Sequence, residues 1–262
     1  SSGIDSTLIA CYADKVSEET INTFTLGFND QNYDESYDAE LIARNLKSNH
    51  NNLIVSENEI KDAILIMNDI YSEPFGDTSQ IPTYLLSKFS SNKIKVAISG
   101  DGGDELFGGY NRYQYLGLIS LFNRIGLNKL SPYNYFNLPF FHKIFSHHFQ
   151  AAQNKIDKIK ALMKSDLKND FDLYKYIISN KFISDNIDYS YLSPEHTLIS
   201  ESYKRLDDVW LSKYPLCDKM MISDLVNYLP DDILVKTDRA SMHTGLEVRS
   251  PFLDDRIIDL SV

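Results

Sequence analysis

Residues 93–110 read KIKVAISGDGGDELFGGY, and they decide the fold. The first seven, Lys93–Ser99, are dominated by aliphatic and β-branched side chains and predict a β-strand. Five glycines follow within the next ten residues, a density that would destabilise a regular helix or strand. The backbone after this strand is therefore predicted to approach a ligand closely, as strand-end loops do in open α/β sheets.

Strand and helix patterns alternate on the N-terminal side of this loop. The helical segments are 5–15, 34–47, 57–71 and 80–90, and the strands are 21–28 and 52–55. This alternation predicts an α/β fold in which flanking helices cover a parallel sheet. We assign residues 1–110 to this part. We expect its first strand to lie before Ser1, because a loop that opens a helix in such folds follows a strand.

Strand patterns fade after residue 110. Residues 111–262 read as helices joined by loops rich in Asn, Ser and Pro. We therefore expect a helical C-terminal part packed beside the sheet and truncated at its C-terminal end. Within it, Arg239, Glu247 and Arg249 are expected to form a buried ion network that holds the helices on the sheet.

The composition is that of an ordinary folded protein, with 43% hydrophobic and 24% charged residues among 262. A net charge of −11 opposes binding to nucleic acid. No apolar run approaches the roughly 18 residues that indicate a membrane span. Cys11 and Cys217 are too few for a disulfide framework, and we expect both to be reduced core residues of a cytoplasmic protein.

The chain begins with a second loop of small residues, SSGIDS at positions 1–6. Small residues that lead into a helix leave backbone N–H groups free, and the positive helix end completes an anion site. Asp5 would repel a phosphate there unless a Mg²⁺ lies between the two negative groups. The alternative is an ordinary helix N-cap without a ligand, which the six residues taken alone favour.

Three acids stand among the glycines of the later loop, namely Asp101, Asp104 and Glu105. They suit a second metal ligand and a group that faces the reaction centre. A flexible surface loop is a poor interpretation, because Leu106 and Phe107 need burial. The loop lacks the G-x-x-x-x-G-K-[ST] spacing, which excludes a Walker-type nucleotide site.

Both loops resemble known motifs. Residues 1–6 resemble the S-G-G-x-D-S pyrophosphate loop of ATP pyrophosphatases, with Ser2 in place of the first glycine. Residues 99–110 resemble the more specific S-G-x-G-x-D-E-x-F-G-G-Y motif of the asparagine synthetase family. That family's later signatures are similar to LPDDILVKTDRASM at 229–242 and EVRSPFLD at 247–254. The resemblance implies an adenine nucleotide alpha hydrolase-like (PP-loop) fold.

The resemblance also implies ATP and Mg²⁺ as cofactors. It assigns Ser2, Gly3 and Ser6 to the pyrophosphate part of ATP. It assigns Asp5 and Asp104 to a shared Mg²⁺.

Five further positions match the family around the nucleotide. Leu26 matches the position that flanks adenine, and Ser99 and Gly100 match backbone contacts to the nucleotide. Asp101 stands where many relatives have Glu, near the activated carboxylate. Tyr110 matches a tyrosine near the reacting phosphate.

Residues 73–82 match the region that lines the acceptor pocket in the family. Aspartate-using relatives carry an arginine there, and this chain has none. Asp77 and Ser79 are our candidates for this pocket. Lys236 is expected to be structural, and the family's catalytic lysine is expected beyond Val262.

The resemblance implies a ligase of asparagine biosynthesis that adenylates aspartate with ATP and lets ammonia from glutamine displace AMP. The domain that releases ammonia would lie before Ser1, and neither cysteine replaces its nucleophile. Two alternatives stay open: amidation of another carboxylate, such as a sugar acid or a lactam-forming substrate, and a non-catalytic nucleotide-binding relative. A homodimer also stays open, since the sequence does not specify an oligomeric state.

Overall fold

The computed structural model describes residues 1–30, 34–46, 48–124, 169–178 and 204–261. The chain divides into two compact units, and the first combines Ser1–Gly109 with Asp224–Val262. The second is Tyr110–Ser223. The sequence placed 111–262 in one helical part, whereas the last 39 residues group with the first unit. In the described part of the chain, no helix is both long and apolar enough to cross a membrane.

The N-terminal part of the first unit alternates helices and strands, as the sequence predicts. Its elements are α1 (Ile4–Val16), β1 (Asn22–Phe28), α2 (Ser36–Asn45), β2 (Asn49–Val55), α3 (Glu57–Ile70), α4 (Gln80–Ser91), β3 (Val96–Ile98) and α5 (Gly103–Phe107). Local chemistry explains where α3 begins, because the side chains and backbones of Ser56 and Glu59 form a reciprocal capping box.

The second unit is helical in its described residues. Its elements are α6 (Asn111–Arg124), α7 (Asp170–Ile178), α8 (Asp207–Leu211) and α9 (Leu216–Ser223). Its core contains Leu116, Leu173, Tyr174 and Met220, each at most 1% exposed. Trp210 packs on this core and donates a 2.8 Å hydrogen bond from Nε1 to Oγ of Ser223.

The chain then returns to the first unit. Its elements there are a π-helix (Asp224–Ile233) that contains Pro230, α10 (Leu234–His243), β4 (Glu247–Arg249), a 3₁₀ turn (Pro251–Leu253) and α11 (Asp255–Ser261). Ala240 of α10 is fully buried in a cluster with residues of β2, α3 and α4. This packing explains why a segment so late in the sequence belongs to the α/β unit.

Every strand pair in the described part of the chain is parallel, which confirms the predicted fold class. Thr25 of β1 pairs with Asn52 of β2, and Ala97 of β3 pairs with Val248 of β4. The sequence did not predict β4, a strand of three residues. The described strands form two separate two-stranded sheets rather than one continuous sheet.

A cavity of about 600 Å³ is lined by both β1 and β3, together with α1, α2 and α4. Val96 and Ile98 of β3 are 45% and 54% exposed, although strands of parallel sheets are ordinarily covered on both faces. The strand expected before Ser1 stays a prediction.

Three expectations about packing are wrong. Leu106 is buried as expected, but Phe107 is 53% exposed. Cys11 and Cys217 are exposed rather than buried, and α1, which carries Cys11, has no buried residue. The ion network is also not buried. Arg249 donates from Nε to Glu247 at 2.8 Å, but the two side chains are 68% and 52% exposed. Exposed Arg239 instead donates to Oγ of Ser72.

Candidate active site

The loop before α1 is organised around hydroxyl groups. Oγ of Ser1 lies 2.8 Å from Oγ of Ser6 and accepts a hydrogen bond from the N–H of Gly3 at 3.1 Å. Gly3 is the N-cap of α1, has an extended backbone, and makes no side-chain cap bond. Oγ of Ser2 contacts a carboxylate oxygen of Glu35 at 3.4 Å. The first turn of α1 therefore begins without the Ser or Asp side-chain cap that was the alternative interpretation.

Glycines bring the strand-end loop against this first turn. A Cβ on Gly100 would lie 3.0 Å from the backbone nitrogen of Ser6, and a Cβ on Gly103 would lie 2.6 Å from Cγ of Asp5. Gly102 has φ +91°, which only glycine adopts readily. The glycine density seen in the sequence thus permits a close approach between the two predicted loops.

Asp5 and Asp104 lie at this approach. Burial raises the pKa of the Asp5 carboxyl above its ordinary value, and the charge of Asp104 raises it further. Asp104 is in the first turn of α5, and a Cβ on Gly109 would collide with its carboxylate. The structure therefore brings together the two carboxylates that the sequence assigned to one metal.

The donor set at this position fits Mg²⁺. Mg²⁺ is commonly held by one or two carboxylates, with water and substrate phosphates completing its coordination. No three His, Cys, Asp or Glu side chains form a metal-binding group within the described residues. Two carboxylates that repel each other suit a cation, and a cation bound together with a polyphosphate takes its remaining ligands from the phosphates and water.

Asp101 is held by hydroxyl groups from two other positions. Its Oδ2 accepts from Oγ of Ser99 at 3.0 Å and from Oγ1 of Thr237 at 3.1 Å. Oγ of Ser99 lies 3.0 Å from Oγ of Ser250. Sequence reasoning assigned roles to Ser99 and Asp101 but missed Thr237 and Ser250, although both lie in family-like signatures.

Asp77 and Ser79 lie at a buried ion pair. Nζ of Lys236 donates to Oδ2 of Asp77 at 2.7 Å and to Oγ of Ser79 at 2.8 Å. The other oxygen, Oδ1, accepts from the backbone and hydroxyl of Ser79, each at 2.7 Å. Burial opposes ionisation of Asp77, but the hydrogen bonds from Lys236 and Ser79 together outweigh it and lower its pKa. Lys236 thus forms a buried ion pair, and its expected structural role stays a prediction.

Leu26 lies near the carboxyl end of β1, partly buried against the cluster of α3 and α4. The next residue, Gly27, has no room for a side chain, since a Cβ would lie 2.6 Å from Ile54 and 2.8 Å from Oδ1 of Asp34. Asp34 accepts from the backbone N–H groups of Phe28 and Ser36 at 3.2 and 3.1 Å. These contacts fix the backbone beside Leu26.

Thr7 is a further residue that the sequence reasoning missed. It lines the cavity. Its Oγ1 is buried and has no hydrogen-bond partner among the described residues. An orphaned hydroxyl next to Ser6 is suited to an anionic ligand, and its only sequence signal was its place directly after the SSGIDS loop.

Tyr110 is the first residue of the second unit. Its ring lies 5.8 Å from that of Tyr113 and 3.8 Å from the guanidinium carbon of Arg112. Its assignment to the reacting phosphate stays a prediction.

The loop before α1, the N-terminus of that helix, the strand-end loop after β3 and a carboxylate pair thus come together within the first unit. Residues 1–262 match the profile of the family described as asparagine synthase. The chain belongs to this family. Its fold is therefore the PP-loop, adenine nucleotide alpha hydrolase-like fold that the motifs predicted.

Three relatives show how far the similarity extends. Asparagine synthetase [glutamine-hydrolyzing] 1 of Bacillus subtilis is 29% identical over the whole chain, which covers 39% of that protein. A putative asparagine synthetase [glutamine-hydrolyzing] 2 of Methanocaldococcus jannaschii is 29% identical over 93% of the chain and 44% of its own length. A putative asparagine synthetase [glutamine-hydrolyzing] of Mycobacterium bovis is 27% identical over 98% of the chain and 37% of its length. The chain thus spans about two fifths of the length of these relatives.

Proposed function

We propose that this chain carries the ATP-dependent carboxylate-activating site of an amide-forming ligase, most simply one that makes asparagine from aspartate. The observation that carries the proposal is the approach of the Ser1–Ser6 loop to the Gly100–Asp104 loop with Asp5 and Asp104 between them. The names of the relatives support asparagine as the product.

The reaction overcomes the poor leaving group of a carboxylate. A carboxylate oxygen attacks the α-phosphorus of ATP and pyrophosphate leaves, which gives an acyl-adenylate. Ammonia then attacks the acyl carbon, and AMP leaves together with the former carboxylate oxygen, which would otherwise have to leave as oxide. Phosphoryl-type transfers of this kind depend on positioning and charge stabilisation more than on covalent help from the protein.

The residues of the first unit are suited to those two tasks. The hydroxyls of Ser2 and Ser6 and the free N–H groups after Gly3 bind the leaving pyrophosphate at the positive end of α1. Asp5 and Asp104 would hold Mg²⁺, which when bound would neutralise charge on the phosphates. Without the metal, the negative charges of the two carboxylates would repel the phosphates.

The nucleotide and the carboxylate are placed by the strand ends. Leu26 flanks the adenine, and the backbone of Ser99 and Gly100 contacts the nucleotide. Asp101 faces the activated carboxylate, and Tyr110 approaches the reacting phosphate.

Amidation of a different carboxylate is the second candidate. Residues 73–82 contain no arginine, and the cation of Lys236 is already paired with Asp77. An aspartate α-carboxylate would therefore lack its usual cationic partner in this region. A sugar acid or a lactam-forming substrate is the alternative acceptor beside Asp77 and Ser79.

Glutamine is proposed as the nitrogen source through a glutaminase domain outside this chain. The names of the relatives include glutamine hydrolysis, and the chain covers only 39% to 44% of the first two. We place the chain in the cytoplasm, where ATP and reduced cysteines such as exposed Cys11 are maintained.

The test is a measurement of AMP and pyrophosphate release by the full-length protein with ATP, Mg²⁺ and ammonium. With aspartate, the protein should release AMP and pyrophosphate in equal amounts and form asparagine. Release with a sugar acid or a lactam-forming substrate, but not with aspartate, would transfer the assignment to the second candidate. ATP binding without AMP formation from any tested carboxylate would identify a non-catalytic relative.

A further inference from the structure

Two consecutive residues near the start of α10 each form a hydrogen bond with an aspartate that lies far earlier in the sequence. Lys236 pairs with Asp77, 159 positions away. The next residue, Thr237, donates to Asp101, 136 positions away. The backbone of Lys236 is also held, because its carbonyl oxygen accepts a 3.0 Å hydrogen bond from the hydroxyl of Tyr71, the C-cap residue of α3. The Thr237 hydroxyl therefore follows directly on a residue that is anchored through both its side chain and its backbone.

The hydrogen bonds that Asp101 accepts are concentrated on one of its two carboxylate oxygens. In the described part of the chain, both go to Oδ2, from Ser99 and from Thr237. A carboxylate oxygen that accepts two hydroxyl donors is fixed about χ2, because rotation would break both bonds. The second oxygen, Oδ1, is then the one presented to a ligand, and Asp101 lines the cavity.

We propose that Thr237 is a positioning residue that fixes the orientation of the Asp101 carboxylate. This inference rests on the proposed function, in which Asp101 faces the activated carboxylate. Aspartate has a shorter arm than the glutamate of many relatives, so its reach depends more strongly on one rotamer. The hydroxyls of Thr237 and Ser99 both hold that rotamer. Oγ of Ser250 lies 3.0 Å from Oγ of Ser99 and supports it in turn.

Two substitutions at Thr237 distinguish the effect of its hydroxyl group from the effect of the rest of the side chain. Thr237→Val keeps the shape but removes the donor, and Thr237→Ser keeps the donor but removes the methyl group. In the full-length protein, Thr237→Val should lower kcat for AMP formation about 10- to 100-fold, the usual effect of losing a hydrogen bond to a charged group. The KM for ATP should stay within about twofold, and Thr237→Ser should restore most of kcat.

A double-mutant cycle distinguishes positioning from general support of the fold. If Thr237 acts through Asp101, Thr237→Val should cause no further loss in an Asp101→Ala background. An equal loss in both backgrounds, or an unchanged kcat in Thr237→Val, would overturn the proposal. Ser99→Ala removes the other donor to the same oxygen and replaces Thr237→Val in the cycle if that variant does not fold.

A second readout does not depend on turnover. In crystal structures of the variants, Asp101 should keep its rotamer with Thr237→Ser and should rotate or spread over rotamers with Thr237→Val. An unchanged, well-ordered Asp101 in Thr237→Val would contradict the proposal even if the wild type formed no AMP. Absence of AMP formation by the wild type with every carboxylate, together with the expected rotamer change, would overturn the proposed function instead.

Discussion

Nζ of Lys236 lies 2.7 Å from Oδ2 of Asp77, and the two side chains are only 11% and 16% exposed. Taking either partner away leaves the other charge in a poorly solvated position, which in comparable proteins costs about 3–5 kcal/mol. The pair joins the loop before α4 to α10, so its loss should affect the whole first unit.

Lys236→Met should therefore lower the free energy of unfolding by about 3 kcal/mol or more in chemical denaturation. The matched control is Arg256→Met, since Arg256 pairs with Asp254 at 2.7 Å but is 89% exposed. That exposed pair should contribute at most about 1 kcal/mol. Equal effects of the two substitutions would show that burial of the Lys236 pair has no energetic consequence.

The same pair predicts an acid-sensitive stability. The pKa of Asp77 is lower in the folded protein than its ordinary value. The stabilisation is therefore complete above the ordinary value near 4 and is lost as the pH falls through the folded pKa. Unfolding curves between about pH 5 and pH 2 should show a steeper loss of stability for the wild type than for Asp77→Asn. Parallel curves would argue against the depressed pKa.

Substitution of the carboxylate pair should remove the response to Mg²⁺. With ATP and Mg²⁺, the Tm of the wild type should rise, because a ligand that binds only the folded state stabilises it. Asp5→Asn and Asp104→Asn should abolish this rise and AMP formation, with an unchanged or higher Tm without ligand because repulsion between the two groups is relieved. Asp62→Asn, at an exposed position on α3, is the control. Normal AMP formation by either site variant would refute the metal assignment.

Gly103 offers a steric test of the Mg²⁺ site proposed at Asp5 and Asp104. Gly103→Ala would put a Cβ 2.6 Å from Cγ of Asp5, and we expect a loss of about 1–3 kcal/mol and weaker Mg²⁺-dependent stabilisation. The control is Gly117→Ala in α6, where a Cβ meets nothing within 4 Å. That change should stabilise the protein by about 0.5–1 kcal/mol, as glycine is unfavourable inside a helix. Thermal unfolding with and without ATP and Mg²⁺ compares the two.

Features set by local sequence could be predicted. The helices of the first 91 residues and the strands β1 and β2 follow from short-range patterns, and their bounds differ from the predictions by a few residues. The two loops were recognisable because their glycines and acids lie at the spacing found in known nucleotide-binding motifs.

Features set by long-range contacts could not be predicted. The strand β4 has three residues and exists through its pairing with β3, about 150 positions earlier. The contacts of Lys236 and Thr237 span 159 and 136 positions, and no local pattern indicates such partners. Cys11 was expected in the core because α1 has apolar residues at helical spacing, but that helix has no buried residue.

The two separate sheets also affect how the chain behaves in solution. Among the described residues each strand has one strand neighbour, and the edges of sheets are where strands of separate chains tend to pair. Exposed Val96 and Ile98 on β3 add apolar surface to such an edge. This apolar surface should favour concentration-dependent association of the protein, and a charged substitution at Val96 should keep it monomeric at higher concentrations, as analytical ultracentrifugation would show.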